Sequence, residues 1–437
     1  MKTVWLLLPL ALSPVLCGQP PVDPGIAAEI ARIKAIDNHA HPARVPVNGK
    51  ADTEFDAMPV ESLEEFSEPV RMRADNPEIV SAWRALYGYS YQDRTPGHAR
   101  LHLEKKRQVM TEKGDAYPAW VLDKLGIETM LANRVAMGPS VTPPRFRWVS
   151  FADALLFPLN NAGRAAKNSD YKAFYADEDR LLVRYLTECG YTAPPRSFDE
   201  YLSTVVTATL ERHKRGGAIA EKFEVAYLRS LDFAPAEKDS AASVYARYAK
   251  SVPPDAEYKT LQDFLFRYIA SECGRLGMAV HLHTAAGADG YFHVGGANPL
   301  LLESVLNDPA LRKTNFVMIH GGWPFTHEVT ALLWKPNAYA DFSEQTAFNY
   351  PGQVAAVIRE WLEAVPEKVL FATDAYPFSE DMGWEEAGWL ATNVGRRALG
   401  MALTGMLRDG EITRKRAIEL AHMVLHDNAA KLYGLDR

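Results

Sequence analysis

Histidine and acidic residues occur early in the chain at a spacing that suits metal binding. In Asp37-Asn38-His39-Ala40-His41, every second residue after a short apolar segment is polar and chemically active. In a strand, alternate side chains point to one face, where two neutral imidazoles can bind the same divalent ion. A lone His-x-His pair is more often a packing or surface feature than a pair of ligands. The motif by itself therefore leaves both interpretations open.

Further apolar segments end in the same residue types. Their last polar residues are His283, His320 and Asp374, and His281 lies two residues before His283. Two of these residues have an ordinary explanation. His320 precedes two glycines and could lie at a tight turn, and Asp374 could cap a helix. Together they repeat one position, the end of an apolar segment. This repetition predicts a metal site assembled from several segments.

A basic and an acidic residue end another apolar segment, which begins at Gly217. Alternation places Lys222 and Glu224 on one face and Glu221 on the opposite face. A lysine that faces a metal site could pair with Glu224 or bind a carboxylate of the substrate. It could also react with carbon dioxide, once its buried amine has lost its proton. The sequence leaves these three roles of Lys222 open.

Helical patterns separate the apolar segments, so strands and helices alternate along the chain. This alternation predicts a parallel sheet, and eight such units predict an α/β fold of the (β/α)8 TIM-barrel type. Active sites of these barrels lie at the C-terminal ends of the strands, which is where the polar residues occur. The predicted strands begin near Ile36 and continue as Glu128 to Ala132, Val149 to Ala152, Ala218 to Val225, Met278 to His283, Asn315 to His320, Ala338 to Phe342 and Val369 to Asp374.

Three regions are expected along the chain. Residues 1–18 are predicted to be a signal peptide and residues 25–437 to form the barrel. Within the barrel, residues 43–120 are predicted to be a helical insertion after the first strand, because this region is polar and charged and has helical patterns. Two of those patterns are Ser62 to Glu68 and His98 to Lys113. We expect the insertion to cover another part of the protein.

The first residues have the pattern of a secretory signal peptide. One lysine precedes a short apolar segment that ends near Cys17 and Gly18, which predicts an exported protein, periplasmic or secreted. The segment is shorter than the about 20 apolar residues that span a bilayer. Lipid anchoring at Cys17 is the alternative, but Leu16 is bulky where a small residue is expected.

Composition restricts the partners. Of the 437 residues, 47% are hydrophobic, which suffices for one large core, and the formal net charge is -7. This charge argues against nucleic acid or an anionic membrane as a partner. No later segment has the pattern of an integral membrane span. The expected partner is a small-molecule substrate. Assembly into a homo-oligomer is left open. Cys189 and Cys273 could pair in an oxidising compartment, or they could be buried apolar thiols.

The sequence resembles the amidohydrolase superfamily, specifically its amidohydrolase-related branch, also called amidohydrolase 2. The resemblance runs from about Ile36 to Leu435. It is similar to the amidohydrolase-like domain found fused to glutamine synthetase, which also has a Leu-Gly-Ile-Glu segment and a lysine at the fourth strand. The matching motifs are Asp-x-His-x-His at 37–41, His-Thr at 283–284, Met-Ile-His at 318–320, Tyr-Ala-Asp-Phe-Ser at 339–343, Phe-Ala-Thr-Asp at 371–374 and the closing Asn-Ala-Ala-Lys-Leu-Tyr-Gly.

The resemblance implies a role for each matching residue. It implies a divalent metal, most often zinc, as about one or two ions per chain. His39 and His41 would bind it from the first strand, His283 from the fifth and His320 from the sixth. Asp374 would bind the metal or its water and carry the proton, and His320 would also polarise the substrate carbonyl. Lys222 would bridge two ions if its amine is carboxylated, whereas His281 would lie deeper as a supporting or core residue.

These roles predict a metal-dependent hydrolase that cleaves an amide-type C–N bond, or a related ester or lactone, of a small molecule. The first alternative is a metal-dependent decarboxylase, because the same branch contains lyases with the same ligands. The second is a barrel that binds a metal or ligand without catalysis. Loss of Asp374 or of a ligand would indicate the second alternative, and none of them is lost in this sequence.

Overall fold

Eight parallel strands form one sheet in which the strands follow each other in chain order. The computed structural model describes residues 22–46, 50–60, 69–73, 75–288 and 290–435, so the predicted signal peptide and the predicted helix from Ser62 to Glu68 lie outside the described residues. The strands are β1 (Ala35–Ala40), β2 (Ile127–Asn133), β3 (Phe146–Phe151), β4 (Ala218–Phe223), β5 (Ala279–His283), β6 (Phe316–Ile319), β7 (Ala338–Asp341) and β8 (Val369–Leu370).

Helices connect the strands and surround the sheet. In the described part of the chain they are α1 (Pro24–Arg32), α2 (Pro77–Tyr87), α3 (Pro96–Lys113), α4 (Tyr117–Leu125), α5 (Ala162–Lys167), α6 (Lys172–Glu188), α7 (Phe198–Glu200), α8 (Ala208–Arg215), α9 (Lys238–Arg247), α10 (Asp255–Leu276), α11 (Glu303–Leu306), α12 (Thr326–Leu332), α13 (Gln345–Phe348), α14 (Pro351–Ala364), α15 (Trp384–Arg408), α16 (Arg414–His422) and α17 (Asn428–Tyr433). Strands and helices thus alternate from β3 onward, which confirms the predicted (β/α)8 barrel.

Local sequence explains where these elements begin and end. Asp23 accepts hydrogen bonds from the first free amides of α1, and α10 ends at Gly277, whose positive φ of 64° suits glycine. Every residue of β1 and β4 is buried, because helices cover the outside of a parallel barrel and side chains fill its inside.

The barrel closes between β1 and the residues that follow β8. The Asn38 amide donates to the Phe371 carbonyl, the Asp374 amide to the His39 carbonyl, and the His41 amide to the Ala375 carbonyl, at 2.8–2.9 Å. The predicted strand from Val369 to Asp374 is nevertheless too long, because the regular ladder of β8 ends at Leu370. Asp374 has a φ of 54°, which no extended strand contains.

Helix α17 fills the inside of the barrel from the end opposite the C-terminal ends of the strands. Apolar side chains of the strands pack on Ala429 and Ala430. Above them, the Tyr433 hydroxyl donates to Asn38 Oδ1 of β1 and lies 2.7 Å from His281 Nε2 of β5. His281 is therefore a supporting residue below the barrel mouth, as its position in the sequence predicts.

We expect Tyr433→Phe to lower the free energy of unfolding by about 1–3 kcal/mol, because two buried polar groups lose their partner. Denaturant unfolding measures this change. The exposed Tyr350 provides the control, since Tyr350→Phe should stay within about 0.5 kcal/mol of the wild type. Equal unfolding free energies for Tyr433→Phe and the wild type would contradict the packing of α17 inside the barrel.

Among the described residues of the insertion after β1, α-helices occur from Pro77 onward. Helix α3 confirms the pattern from His98 to Lys113, whereas the described residues 43–46 and 50–60 contain no α-helix. Asp52, in the second of these segments, accepts hydrogen bonds from both Arg44 and Arg134. The insertion packs on the start of α15, where buried Lys106 of α3 contacts Glu385 and Glu386 at 3.1 and 2.8 Å.

Both cysteines outside the predicted leader are free thiols. Cys273 is buried in α10, and Cys189 is partly buried near Thr209. This agrees with the alternative of apolar thiols rather than with a disulfide. Among the described residues, no helix has the length and apolarity needed to cross a membrane.

Candidate metal centre

The predicted histidines meet at the C-terminal end of the barrel. Their rings form a continuous group, with centroid distances of 5.0 Å between His39 and His41, 5.2 Å between His39 and His320, and 4.8 Å between His320 and His283. Asp374 completes the group, with its Oδ1 3.2 Å from His39 Nε2. Segments that lie far apart in the sequence thus bring together all five residues.

The possible ligand atoms form three groups at or beside the barrel mouth. They are His39, His41 and Asp374; His283, His320 and Glu344; and His41, Asp56 and Glu224. Within each group one nitrogen or oxygen per residue lies within 4.8 Å of the others. The two nitrogens and one carboxylate oxygen of each of the first two groups form a donor set that suits a catalytic zinc ion.

The histidines at the mouth carry no charge at neutral pH. Burial, together with the nearby charge of Lys222, lowers the pKa of His283 to about 3. Burial also holds the pKa values of His39, His41 and His320 well below their usual range. A neutral imidazole has a free lone pair, which is the form that binds a metal ion.

Asp374 lies where the site opens toward solvent. Its side chain is 19% exposed, whereas the side chain of His39 is fully buried. Desolvation raises the pKa of Asp374 to about 7, although the charge of Lys222 opposes this shift. A carboxyl group with a pKa near neutrality can both accept and release a proton under ordinary conditions.

The backbone is strained at this site. Only four described residues other than glycine have a positive φ, and three of them are His320, Glu344 and Asp374, at 69°, 57° and 54°. Such conformations cost about 1–3 kcal/mol each and concentrate at functional sites. The strain therefore identifies the ends of β6, β7 and β8 as parts of one site, independently of side-chain chemistry.

Lys222 lies beneath the histidines among buried acids. Its Nζ is 3.2 Å from Glu224 Oε1 and 3.4 Å from His39 Nε2. Glu224 in turn lies beside Asp56, which belongs to the insertion, and beside Asp153. Of the three roles that the sequence leaves open for Lys222, the pair with Glu224 is present in this structure.

Residues behind the site hold His320 and the segment around Asp374 in place. Ser343 Oγ lies 2.8 Å from His320 Nδ1 and donates to Asp341, which also accepts the His320 amide at 2.9 Å. On the other side, Asp37 accepts hydrogen bonds from the amide and hydroxyl of Thr373, next to Asp374. Asp37 therefore positions the segment that follows β8 and lies outside the group formed by His39, His41 and Asp374.

We expect Ser343→Ala to weaken metal binding about 10–100-fold, because a ligand histidine loses the partner that fixes its ring. Competition with a chromogenic chelator measures the affinity. Ser81→Ala on the exposed surface of α2 is the control and should leave the affinity unchanged. Equal affinities for Ser343→Ala and the wild type would show that Ser343 does not orient His320.

The other paired histidines lie away from this group. His98 and His102 share α3, as their spacing predicts, but His98 contacts Asp93 and His102 is buried against Trp83. Neither joins a possible ligand group among the described residues. Tyr376, which follows Asp374, does reach the site, because its ring lies 5.3 Å from that of His41.

A small cavity of about 10 Å³ adjoins Asp374. Arg71 and Met72 of the insertion line it, together with Phe378 and Met382 of the segment after β8. The Arg71 guanidinium is buried and donates to backbone carbonyls of residues 346, 347 and 349. The insertion therefore covers the mouth of the barrel and supplies part of the cavity wall.

Two acidic residues near the histidines at the barrel mouth were not predicted from the sequence. Glu344 follows the Asp-Phe-Ser motif after β7, so its position at a strand end was a usable signal. Asp56 had no signal, because it lies in an irregular part of the insertion and reaches His41 only through the fold, at 3.8 Å.

Comparison with known proteins identifies the family. A family model described as amidohydrolase matches residues 187–435, which is more than half of the chain and includes β4 to β8. The chain therefore belongs to the amidohydrolase family, and the resemblance found in its motifs is confirmed. Enzymes of this family use divalent metal ions.

Individual relatives are more distant. The protein fluG of Emericella nidulans is 27% identical over 228 residues, which are 49% of this chain and 25% of fluG. The chain thus spans about a quarter of the length of this curated relative.

Two solved structures share the barrel fold. One is described as a metal-dependent hydrolase from Lactobacillus casei ATCC 334, with a TM-score of 0.63 and 16% identity, covering 94% of this chain and 98% of that chain. The other is uronate isomerase from Thermotoga maritima, with a TM-score of 0.59 and 12% identity, covering 94% of this chain and 98% of that chain. At these identities the likeness shows the fold alone.

Proposed function

We propose that the chain is a metal-dependent hydrolase that cleaves an amide-type C–N bond, or a related ester or lactone bond, of a small molecule. The proposal depends most on one observation, which is the convergence of four neutral imidazoles and Asp374 at the C-terminal end of the barrel. Membership in the amidohydrolase family supports it.

The residues at the mouth fit a divalent metal. Neutral imidazoles and carboxylates are preferred donors for zinc and similar ions, and His39 Nδ1 has no hydrogen-bond partner in the described part of the chain. We propose His39, His41, His283, His320 and Asp374 as ligands of about one or two ions. A bound ion of this kind supplies Lewis acidity and lowers the pKa of water from about 15.7 toward 7.

Asp374 is the proposed proton carrier. Its carboxylate lies at the open side of the site, and desolvation brings its pKa to about 7. It can therefore take a proton from the attacking water and return it to the leaving nitrogen or oxygen. Where its Nε2 does not bind the ion, His320 is proposed to polarise the carbonyl of the bond that breaks, because Ser343 holds its neutral ring in one orientation.

For Lys222 we propose the role of a buried cation paired with Glu224. Carboxylation of its amine, which would let it bridge two ions, is the alternative. Mass measurement of the native chain distinguishes the two, since carboxylation adds the mass of one carbon dioxide. A Lys222→Ala variant with full metal content and an unmodified wild type would rule out the bridging role.

A metal-loaded activity screen tests the proposed reaction. Amides, dipeptides, lactones and aromatic carboxylates are supplied to the zinc-loaded enzyme, and released ammonia, amine or carbon dioxide is measured. Release of ammonia or amine, or opening of a lactone, supports hydrolysis. Release of carbon dioxide alone would instead identify a decarboxylase.

A barrel that binds metal without catalysis remains the contrasting hypothesis. It predicts full metal content with no turnover of any substrate class in the same screen. Retention of Asp374 together with every proposed ligand argues against it.

A further inference from the structure

Glu344 occupies a strained turn directly after β7. Its φ and ψ are 57° and -46°, and the amide of Gln345 donates to the carbonyl of Ser343. This is a three-residue γ-turn with a positive φ, which is rare and strained for a residue with a side chain. Glycine would adopt this backbone conformation more easily. A function of the side chain would explain why glutamate occupies the position.

Neighbouring contacts hold the turn in place. The Ser343 amide donates to Asp341 at 3.1 Å, and the side chain of Gln345 donates to the His320 carbonyl at 2.9 Å. Both residues beside Glu344 are thereby tied to the site that contains His320. The turn consequently presents the Glu344 side chain to the barrel mouth.

One oxygen of the Glu344 side chain is buried without a hydrogen-bond partner among the described residues. This atom is Oε2, and the residue as a whole is 7% exposed. The nearest side-chain nitrogen is His320 Nδ1 at 3.8 Å, and this imidazole is neutral. A buried carboxylate oxygen without a hydrogen-bond partner is costly, and a cation bound beside Glu344 would supply that partner.

We propose that Glu344 is a metal ligand and binds a second divalent ion together with His283 and His320. One atom from each of the three residues lies within 4.8 Å of the others, apart from the group formed by His39, His41 and Asp374. Two imidazoles and one carboxylate supply three ligands and leave a fourth position open, as in catalytic zinc sites. The inference rests on the proposed function, because it assumes that the barrel mouth binds metal.

Anomalous diffraction from zinc-loaded crystals of the full chain tests this assignment. We expect one zinc peak near His39 and His41 and a second peak bounded by His283, His320 and Glu344. In Glu344→Gln the second peak should be lost and the zinc content of the purified protein should fall by one ion per chain. Glu221→Gln is the matched control, because Glu221 is equally buried but pairs with His213 and Ser150 away from the mouth.

The outcomes separate this inference from the proposed function. A wild type that binds no zinc at all would overturn both. Zinc near His39 and His41 with no peak beside Glu344, or an unchanged second peak in Glu344→Gln, would overturn the role of Glu344 and leave the proposed function intact.

Glu344→Gly provides a second test that does not depend on crystals. Glycine relieves the strained turn, so the metal-free variant should melt at a higher temperature than the metal-free wild type. The same variant lacks the ligand, so its zinc-induced rise in melting temperature should be smaller. A wild-type-sized zinc-induced rise in Glu344→Gly would contradict the assignment.

Discussion

Asp374→Asn should retain its metal and lose most of its turnover. The amide keeps an oxygen for the metal and nearly the same shape, but it cannot accept a proton. General-base catalysis contributes about 10²–10⁴-fold to a rate, and we expect a fall in kcat of this size. Steady-state kinetics on the substrate found in the screen, with zinc content measured on the same sample, gives both readouts.

The matched control for this variant is Asp381→Asn. Asp381 lies in the same segment after β8, but it pairs with Arg94 and Ser379 at the edge of the insertion. Its kcat should equal that of the wild type. If Asp374→Asn also kept its kcat within a few-fold, another group would have to carry the proton, and the proposed role of Asp374 would be wrong.

Lys222→Met should destabilise the metal-free protein strongly. The Lys222 and Glu224 side chains are only 1% and 7% exposed, and removing one partner of a buried pair costs about 3–5 kcal/mol. The charge of Lys222 also lowers the pKa values of Asp56, Asp153, Glu344 and Asp374. It is therefore the counter-charge of a whole group of buried acids.

Denaturant unfolding in the presence of a chelator measures this loss. The double variant Lys222→Met/Glu224→Gln should recover part of it, because the carboxylate left without a partner is also removed. Equal losses in the single and double variants would show that Lys222 does not act through Glu224. A carboxylated Lys222 would instead show a loss of metal as the main effect.

Strand periodicity was enough to predict most of the site. His39 and His41 share a face because alternate residues of a strand do so, and the repeated position at strand ends led to His283, His320 and Asp374. These predictions depend on short-range geometry and on the general rule that barrel strands end at one rim. The order of strands in the sheet followed from the same rule.

Features set by long-range contacts were beyond such reasoning. In the insertion, Asp52 binds Arg134, which is 82 residues further along the chain. The backbone reversals at Glu344 and Asp374 depend on neighbours in other strands, such as His39, whose carbonyl accepts the Asp374 amide. A periodicity cannot reveal a positive φ, so the predicted last strand was too long.

Metal content before and after chelation is the most direct test of a metal centre at His39, His41, His283, His320 and Asp374. Elemental analysis of the purified full chain should find about one or two divalent ions per chain. Chelation should remove the ions, lower the melting temperature and abolish turnover, and added zinc should restore all three. A metal-free protein whose turnover and melting temperature do not respond to the chelator or to zinc would contradict a metal-dependent hydrolase.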